Sequence, residues 1–327
     1  MKLIYVGFKF AHHGEYSGYD QIKKYLKYDE EINIKVHNIK KLKINIFKKI
    51  IDYLLYKRYW VNELTLILKI IFDKNANIYH IIYGENIYKY IGIFKKRNII
   101  IATFHQPPEY FKYRANIIFK KNIKYIDKII VMSKDMETYF HSKYPNKKIK
   151  YIPHGIDTNY FKPFGEKDND ILMVGNWLRD FEFAAKVFKY LENENINILV
   201  VTNKENNKYF ADNKNLILYN NITDNALLKL YQKTKIVFLP LIDYTANNAL
   251  LEGLATGCDI IIATNCKKIE SESPVKYVDL NLKRAIAIIK NTLHEWKTDN
   301  IIKNYNYVKE KYSWEKIADI TKDFIEN

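Results

Sequence analysis

The sequence predicts an α/β protein made of two doubly wound, Rossmann-like domains. Three observations carry this. Short apolar strands alternate with helical segments, a pattern that makes parallel sheets. The alternation runs once from Leu3 to Ile152, breaks near Phe161–Gly165, and restarts at Ile171. The chain has 327 residues, 48% of them hydrophobic, which suits two domains with sizeable cores.

In the first half, Leu3–Phe8 reads as a strand, and the polar loop His12–Gly18 leads to a helix from Tyr19 to Leu26. Ile32–Val36 is the second strand. Residues Ile44–Ile71 are mostly helical, because Phe47, Ile50, Ile51, Leu54 and Leu55 recur at helical spacing. Ile78–Ile82, Asn98–Thr103, Ile129–Met132 and Ile149–Ile152 are further strands, with Ser133 placed to cap the helix after the third of these. The second half gives strand Ile171–Val174, helix Phe181–Leu191, and strands Ile196–Val201 and Leu216–Leu218. A helix from Thr223 to Thr234 follows, capped by Thr223, and then strand Ile236–Leu239. Ile260–Ala263 and Val275–Val278 are late strands, and helices fill most of the chain from Lys283. The boundaries expected are 1–162 and 163–309, with a last helix at about 310–327 packing back on the first domain.

Charge is unevenly placed. Residues 1–163 carry 31 Lys+Arg against 14 Asp+Glu, a net of +17; residues 164–327 carry 22 against 23, a net of −1. Uniform lysine bias does not produce such a split, so the first half is expected to meet an anionic partner. Within it, 41–58 reads as a basic amphipathic helix: Lys41, Lys43, Lys48, Lys49, Lys57 and Arg58 oppose one acid, Asp52, among interleaved Ile, Leu and Phe. An anionic membrane surface is the partner this predicts. Lys112, Arg114, Lys120, Lys121 and Lys124, with Phe111 and Phe119, are assigned to the same surface. No nucleic-acid motif accompanies them. Cys258 and Cys266 have neither metal-ligand nor disulfide spacing, and no apolar run reaches the length of a membrane span. The expected location is the cytoplasm, with peripheral attachment at the inner face of the membrane.

The most informative stretch is LPLIDYTANNALLEGLATGCD, Leu239 to Asp259. An apolar strand stops at Pro240, a polar loop follows, and a helix is expected from near Thr245 to near Gly257. A strand, a loop and a helix N-terminus make an anion site, since the first helical N–H groups are unpaired and the helix dipole favours negative charge. Glu252, further into the same helix, is placed to accept hydrogen bonds from sugar hydroxyls. His12, His13 and Glu15 have metal-ligand chemistry, but adjacent histidines point in different directions, so no metal or other cofactor is predicted.

The segment YIPHGIDTNYFKP at Tyr151–Pro163, the strand running into Gly175 and the loop-helix around Glu252 together resemble the nucleotide-sugar-dependent retaining glycosyltransferases of family four, which have the GT-B fold. The resemblance covers nearly the whole chain. It implies transfer of a sugar from a nucleotide donor to a hydroxyl of a glycan or lipid-linked acceptor. Glu252 matches the second glutamate of the family's E-x7-E motif, the ribose ligand; the first falls at Tyr244, with Asp243 beside it. Thr245, Ala246, Asn247 and Asn248 replace a glycine-rich loop and would turn their backbone amides to the diphosphate. The family's Arg and Lys clamp falls at Asn176 and Phe181, which leaves Arg179 as the cation of that loop. His105, in TFHQPP after a strand, matches a histidine near the donor sugar. Gly18 matches the glycine loop that lets backbone approach the donor phosphate, and Glu15 is placed on the acceptor side. The catalytic residues expected are therefore His105 and Arg179. Two alternatives share the fold: a nucleotide-sugar epimerase, and a non-catalytic partner subunit favoured by the departures at Tyr244, Asn176 and Phe181.

Overall fold

The computed structural model describes residues 1–10, 14–34, 59–115, 117–244, 247–266 and 274–327. The amphipathic segment 41–58 and residues His12, His13, Thr245 and Ala246 lie outside these. The chain divides into two compact units. The first is Met1–Gly14, Gly18–His154 and Ile317–Asn327; the second is Glu15–Ser17 and Gly155–Lys316.

The first unit holds a six-stranded sheet, wholly parallel, in the order β2-β1-β3-β4-β5-β6. Its strands are β1 (Leu3–Gly7), β2 (Glu30–Asn33), β3 (Ile78–Ile81), β4 (Ile99–Phe104), β5 (Lys128–Val131) and β6 (Lys148–Tyr151). Central strands buried on both faces read as continuous apolar runs: Ile100, Ile101 and Ala102 of β4 and Ile129, Ile130 and Val131 of β5 have no exposed surface. Helices α1 (Tyr59–Phe72), α2 (Gly84–Ile87), α3 (Ile117–Asn122) and α4 (Lys134–Lys143) intervene. Ser133 caps α4, accepting from the Met136 N–H at 3.3 Å. The segment expected to be a helix from Tyr19 to Leu26 is a shorter 3-10 helix, Tyr19–Lys24.

One sequence expectation is overturned here. Phe111 and Phe119 do not belong to a basic surface: they are 2% and 3% exposed and pack with Phe104 and Phe140. Interleaved lysines mimic a solvated face, but four aromatic rings bury far more apolar area than a surface would hide.

The second unit is also a parallel six-stranded sheet, in the order β12-β11-β10-β7-β8-β9. The strands are β7 (Asn169–Val174), β8 (Ile198–Val201), β9 (Leu216–Tyr219), β10 (Thr234–Pro240), β11 (Asp259–Ala263) and β12 (Lys276–Val278). Strand order reverses between β7 and β10, and ligands of doubly wound sheets bind at the carboxyl ends of the strands at such a reversal. The helices are α5 (Phe181–Leu191), α6 (Asp224–Gln232), α7 (Asn248–Ala255), α8 (Leu282–His294), α9 (Asp299–Tyr312) and α10 (Trp314–Glu326). Thr223 caps α6 through the Ala226 N–H. The last helix, α10, begins in the second unit and ends in the first, where Ile317, Ala318, Thr321 and Ile325 are buried. The buried Lys128 ammonium donates to its carbonyls at Phe324 (3.0 Å) and Ile325 (2.8 Å).

Candidate active site

The strand reversal of the second unit brings two loops together. After Val174, the chain turns at Gly175, whose φ of +122° only glycine adopts without strain. A side chain there is also excluded by packing: a Cβ would sit 2.7 Å from Nη2 of Arg179. Arg179 folds back beneath this turn. Its Nε donates to the Val174 carbonyl at 3.0 Å, Nη1 to the Trp177 carbonyl at 3.1 Å, and Nη2 to Oδ1 of Asn247 at 3.4 Å. The second loop is tied on by backbone bonds, Asp180 N–H to Pro240 (3.0 Å) and Ile242 N–H to Leu178 (3.1 Å).

Asn247 is the N-cap of α7, its Oδ1 accepting from the Leu250 N–H. The helix thus starts at Asn248, three residues later than expected near Thr245, because Asn247 takes the capping role. It ends at Ala255, with Gly257 at φ +83° closing it. One guanidinium therefore couples the β7 loop to the cap of α7. Burial pulls Arg179 down to about 10, against opposing pulls from Tyr231 and Glu252, so it is still a cation at neutral pH.

The departures at the clamp positions have structural reasons. Asn176 braces the β8 loop, its Oδ1 accepting from the Thr202 hydroxyl at 2.9 Å and the Asn203 N–H at 2.6 Å. Phe181 opens α5 and is buried, stacked on Tyr209 with centroids 5.4 Å apart. The buried place of Phe181 has no solvent for a cation, and the exposed place of Asn176 is given to bracing the neighbouring loop.

Glu252 lies in α7 and is 6% exposed. Burial pushes its carboxyl up to about 7; the Tyr231 hydroxyl and Arg179 oppose this, and Asp224 reinforces it. Asp224 in turn accepts the backbone N–H of Glu15 at 2.6 Å, and Tyr16 stacks on Tyr160 at 3.6 Å. The structure thus places Glu15 with the second unit. Tyr244 is partly buried against that unit's core, and Asp243 accepts its N–H at 2.7 Å.

In the first unit, His105 follows β4, where its backbone N–H donates to Glu85 at 3.2 Å and its ring Nδ1 lies 3.4 Å from the same carboxylate. The rings of Tyr19 and Tyr83 flank it, each 4.9 Å away. Gly18, at φ +98°, precedes the 3-10 helix that carries Tyr19. The neighbouring His80 is fully buried between the Tyr28 and Thr103 hydroxyls, and burial pushes it down to about 3, so it is neutral.

The structure therefore gathers Gly175, Arg179, Asn247 and Glu252 in one unit, and Gly18 and His105 in the other. Sequence reasoning missed Glu85, Tyr231 and Trp177. Only Trp177 had a signal, an indole in a polar loop directly after a strand. Among the described residues, no group of three His, Cys, Asp or Glu could hold a metal ion, and no helix is long and apolar enough to cross a membrane.

Residues 27–160 match the model of Glycosyltransferase Family 4. No curated protein matches the sequence. Solved structures share the whole fold. A glycosyltransferase from Rickettsia africae is 16% identical, with 99% of this chain and 97% of that one covered and a TM-score of 0.71. Sucrose-phosphate synthase from Thermosynechococcus elongatus is 13% identical, with 100% and 98% covered and a TM-score of 0.72. A UDP-forming α,α-trehalose-phosphate synthase from Burkholderia xenovorans, in complex with glucose-6-phosphate, is 8% identical, with 100% of both covered and a TM-score of 0.70. The pair of parallel six-stranded sheets and the solved structures give this chain the GT-B fold, and residues 27–160 make it similar to the glycosyltransferases of family four.

Proposed function

We propose that the second unit binds a nucleotide-sugar donor and that the sugar passes, with retention, to a hydroxyl of a glycan or lipid-linked acceptor. The observation that carries this is the joint at the strand reversal: Arg179 bonded to Asn247, the cap of α7, with Glu252 in the same helix. The α7 amides and Arg179 present positive charge to a diphosphate. As the bond from the anomeric carbon to the diphosphate breaks, charge grows on the leaving group, and a fixed cation lowers that barrier. The acceptor oxygen takes the anomeric carbon, and its proton passes to the departing phosphate. Glu252 accepts from the ribose hydroxyls, and within the first unit His105, steadied by Glu85, is the residue assigned to the acceptor side. The UDP-forming activity of one relative and the retaining transfer of a trehalose-6-phosphate synthase support the donor class and the stereochemistry.

Glu252→Gln tests the assignment through two opposite effects. A hydrogen bond to a charged acceptor is worth roughly 1.5–3 kcal/mol, so kcat/KM for the donor should fall about tenfold or more. Stability should move the other way. The carboxyl is protonated in both folded and unfolded chain below its ordinary value of 4.5, and ionised in both above about 7. Between these the folded chain holds the extra proton, so stability is lost as pH rises through that window, by about 3 kcal/mol. The glutamine variant escapes this loss and should melt higher than wild type at pH 8. Unchanged donor kinetics would remove Glu252 from the site.

A further inference from the structure

Trp177 is 67% exposed in a loop that is otherwise tightly held. Its carbonyl accepts from Arg179, the preceding Asn176 is bonded to Thr202 and Asn203, and the following Leu178 accepts from Ile242. Leu178 stands at φ +55°, a conformation that a non-glycine residue keeps only where its surroundings impose it. Across this bracing lies Ile242, 59% exposed. The loop thus spends backbone strain to hold an indole in water at the strand reversal, where doubly wound sheets take their ligands. A large aromatic side chain carried into solvent on a braced backbone at such a place marks a contact surface rather than an accident of folding.

We infer that Trp177 stacks on the apolar face of the donor's hexose ring and helps choose which hexose is transferred. This rests on the donor reading above. The Arg179 guanidinium bridges the Trp177 carbonyl and Asn247, so the indole's own backbone adjoins the helix end assigned to the diphosphate. Two rings flank a nucleotide-sugar diphosphate. Glu252, a buried hydrogen-bond acceptor, suits the hydroxyls of the ribose; the hexose has an apolar face of C–H groups that an indole complements.

The test compares Trp177→Ala, Trp177→Phe and Trp177→Tyr with wild type, using UDP-glucose, GDP-mannose, UDP and GDP in calorimetric titrations. Trp177→Ala should weaken the bound nucleotide-hexose by about tenfold while leaving the matching bare diphosphate within about twofold. Phenylalanine and tyrosine should restore most of the loss, and tryptophan fluorescence should shift with the nucleotide-hexose and not with the diphosphate. Equal weakening of hexose-bearing and bare nucleotides by Trp177→Ala would overturn the inference, because the indole would then serve the base or the loop. Unchanged affinities would overturn it too, while leaving the donor site intact. Wild-type protein that binds none of the four would bring down the donor reading and this inference with it.

Discussion

Replacing Arg179 by methionine is expected to lower kcat/KM at least a hundredfold. Two losses combine. The leaving diphosphate loses its cation, and removing one such transition-state contact costs about 10²–10³ in rate. The β7 loop also loses its three anchors, the carbonyls of Val174 and Trp177 and the Asn247 side chain. Lysine should rescue little, because an ammonium cannot span three acceptors in the plane of a guanidinium fork. The discriminating measurement is affinity for nucleoside diphosphate against nucleoside monophosphate. Arg179→Met should weaken the diphosphate more, since only that ligand carries the second charged group. Equal losses for both would make Arg179 a brace for the loop and nothing else.

A second large effect is expected at Gly155. It lies in the PHGID segment, and a Cβ there would fall within the Trp314 indole. Trp314 is 1% exposed, and the backbone on either side of the pair is bonded reciprocally: Ile156 N–H to Tyr312 at 2.8 Å, Trp314 N–H to Ile156 at 3.1 Å. Gly155→Val must drive the indole from its seat, and Trp314→Ala leaves the seat empty. Losses of about 3–5 kcal/mol are typical of deleting a buried tryptophan, which corresponds to roughly 10 °C in Tm. Thermal melts of both variants provide the check. A Trp314→Ala protein melting within a degree or two of wild type would show that the pairing of glycine and indole carries no stability.

Where sequence and structure agree, the signals were local. Apolar runs of four to six residues set the strands, and Ser133 and Thr223 announced their helices by cap chemistry alone. What stayed hidden depended on distance along the chain. Arg179 meets Asn247 across 68 residues, and nothing near either predicts the bond. Glu85 reaches His105 across 20. The start of α7 was expected near Thr245 and falls at Asn248, capped by an Asn247 side chain that also meets Arg179, a tertiary bond no local pattern announces. Phe181 shows a different failure. A family pattern puts a cation at that place, yet here it holds a phenyl ring committed to Tyr209 and Phe210, a tertiary packing that a motif comparison cannot foresee.

The last helix has a consequence for how the protein is made. The first unit is not finished when His154 leaves the ribosome, for it still lacks Ile317–Asn327, about 160 residues further on. At ordinary rates of synthesis that delay is on the order of ten seconds. Throughout it the surface destined for Ile317, Ala318, Thr321 and Ile325 stays uncovered, and the Lys128 ammonium has no carbonyls to bond. The second unit can close its sheet first, so the half that is translated earlier is completed later. A nascent chain stalled before Ile317 should expose sticky apolar surface on its amino-terminal half and recruit chaperones there, and release of the final helix should end that recruitment.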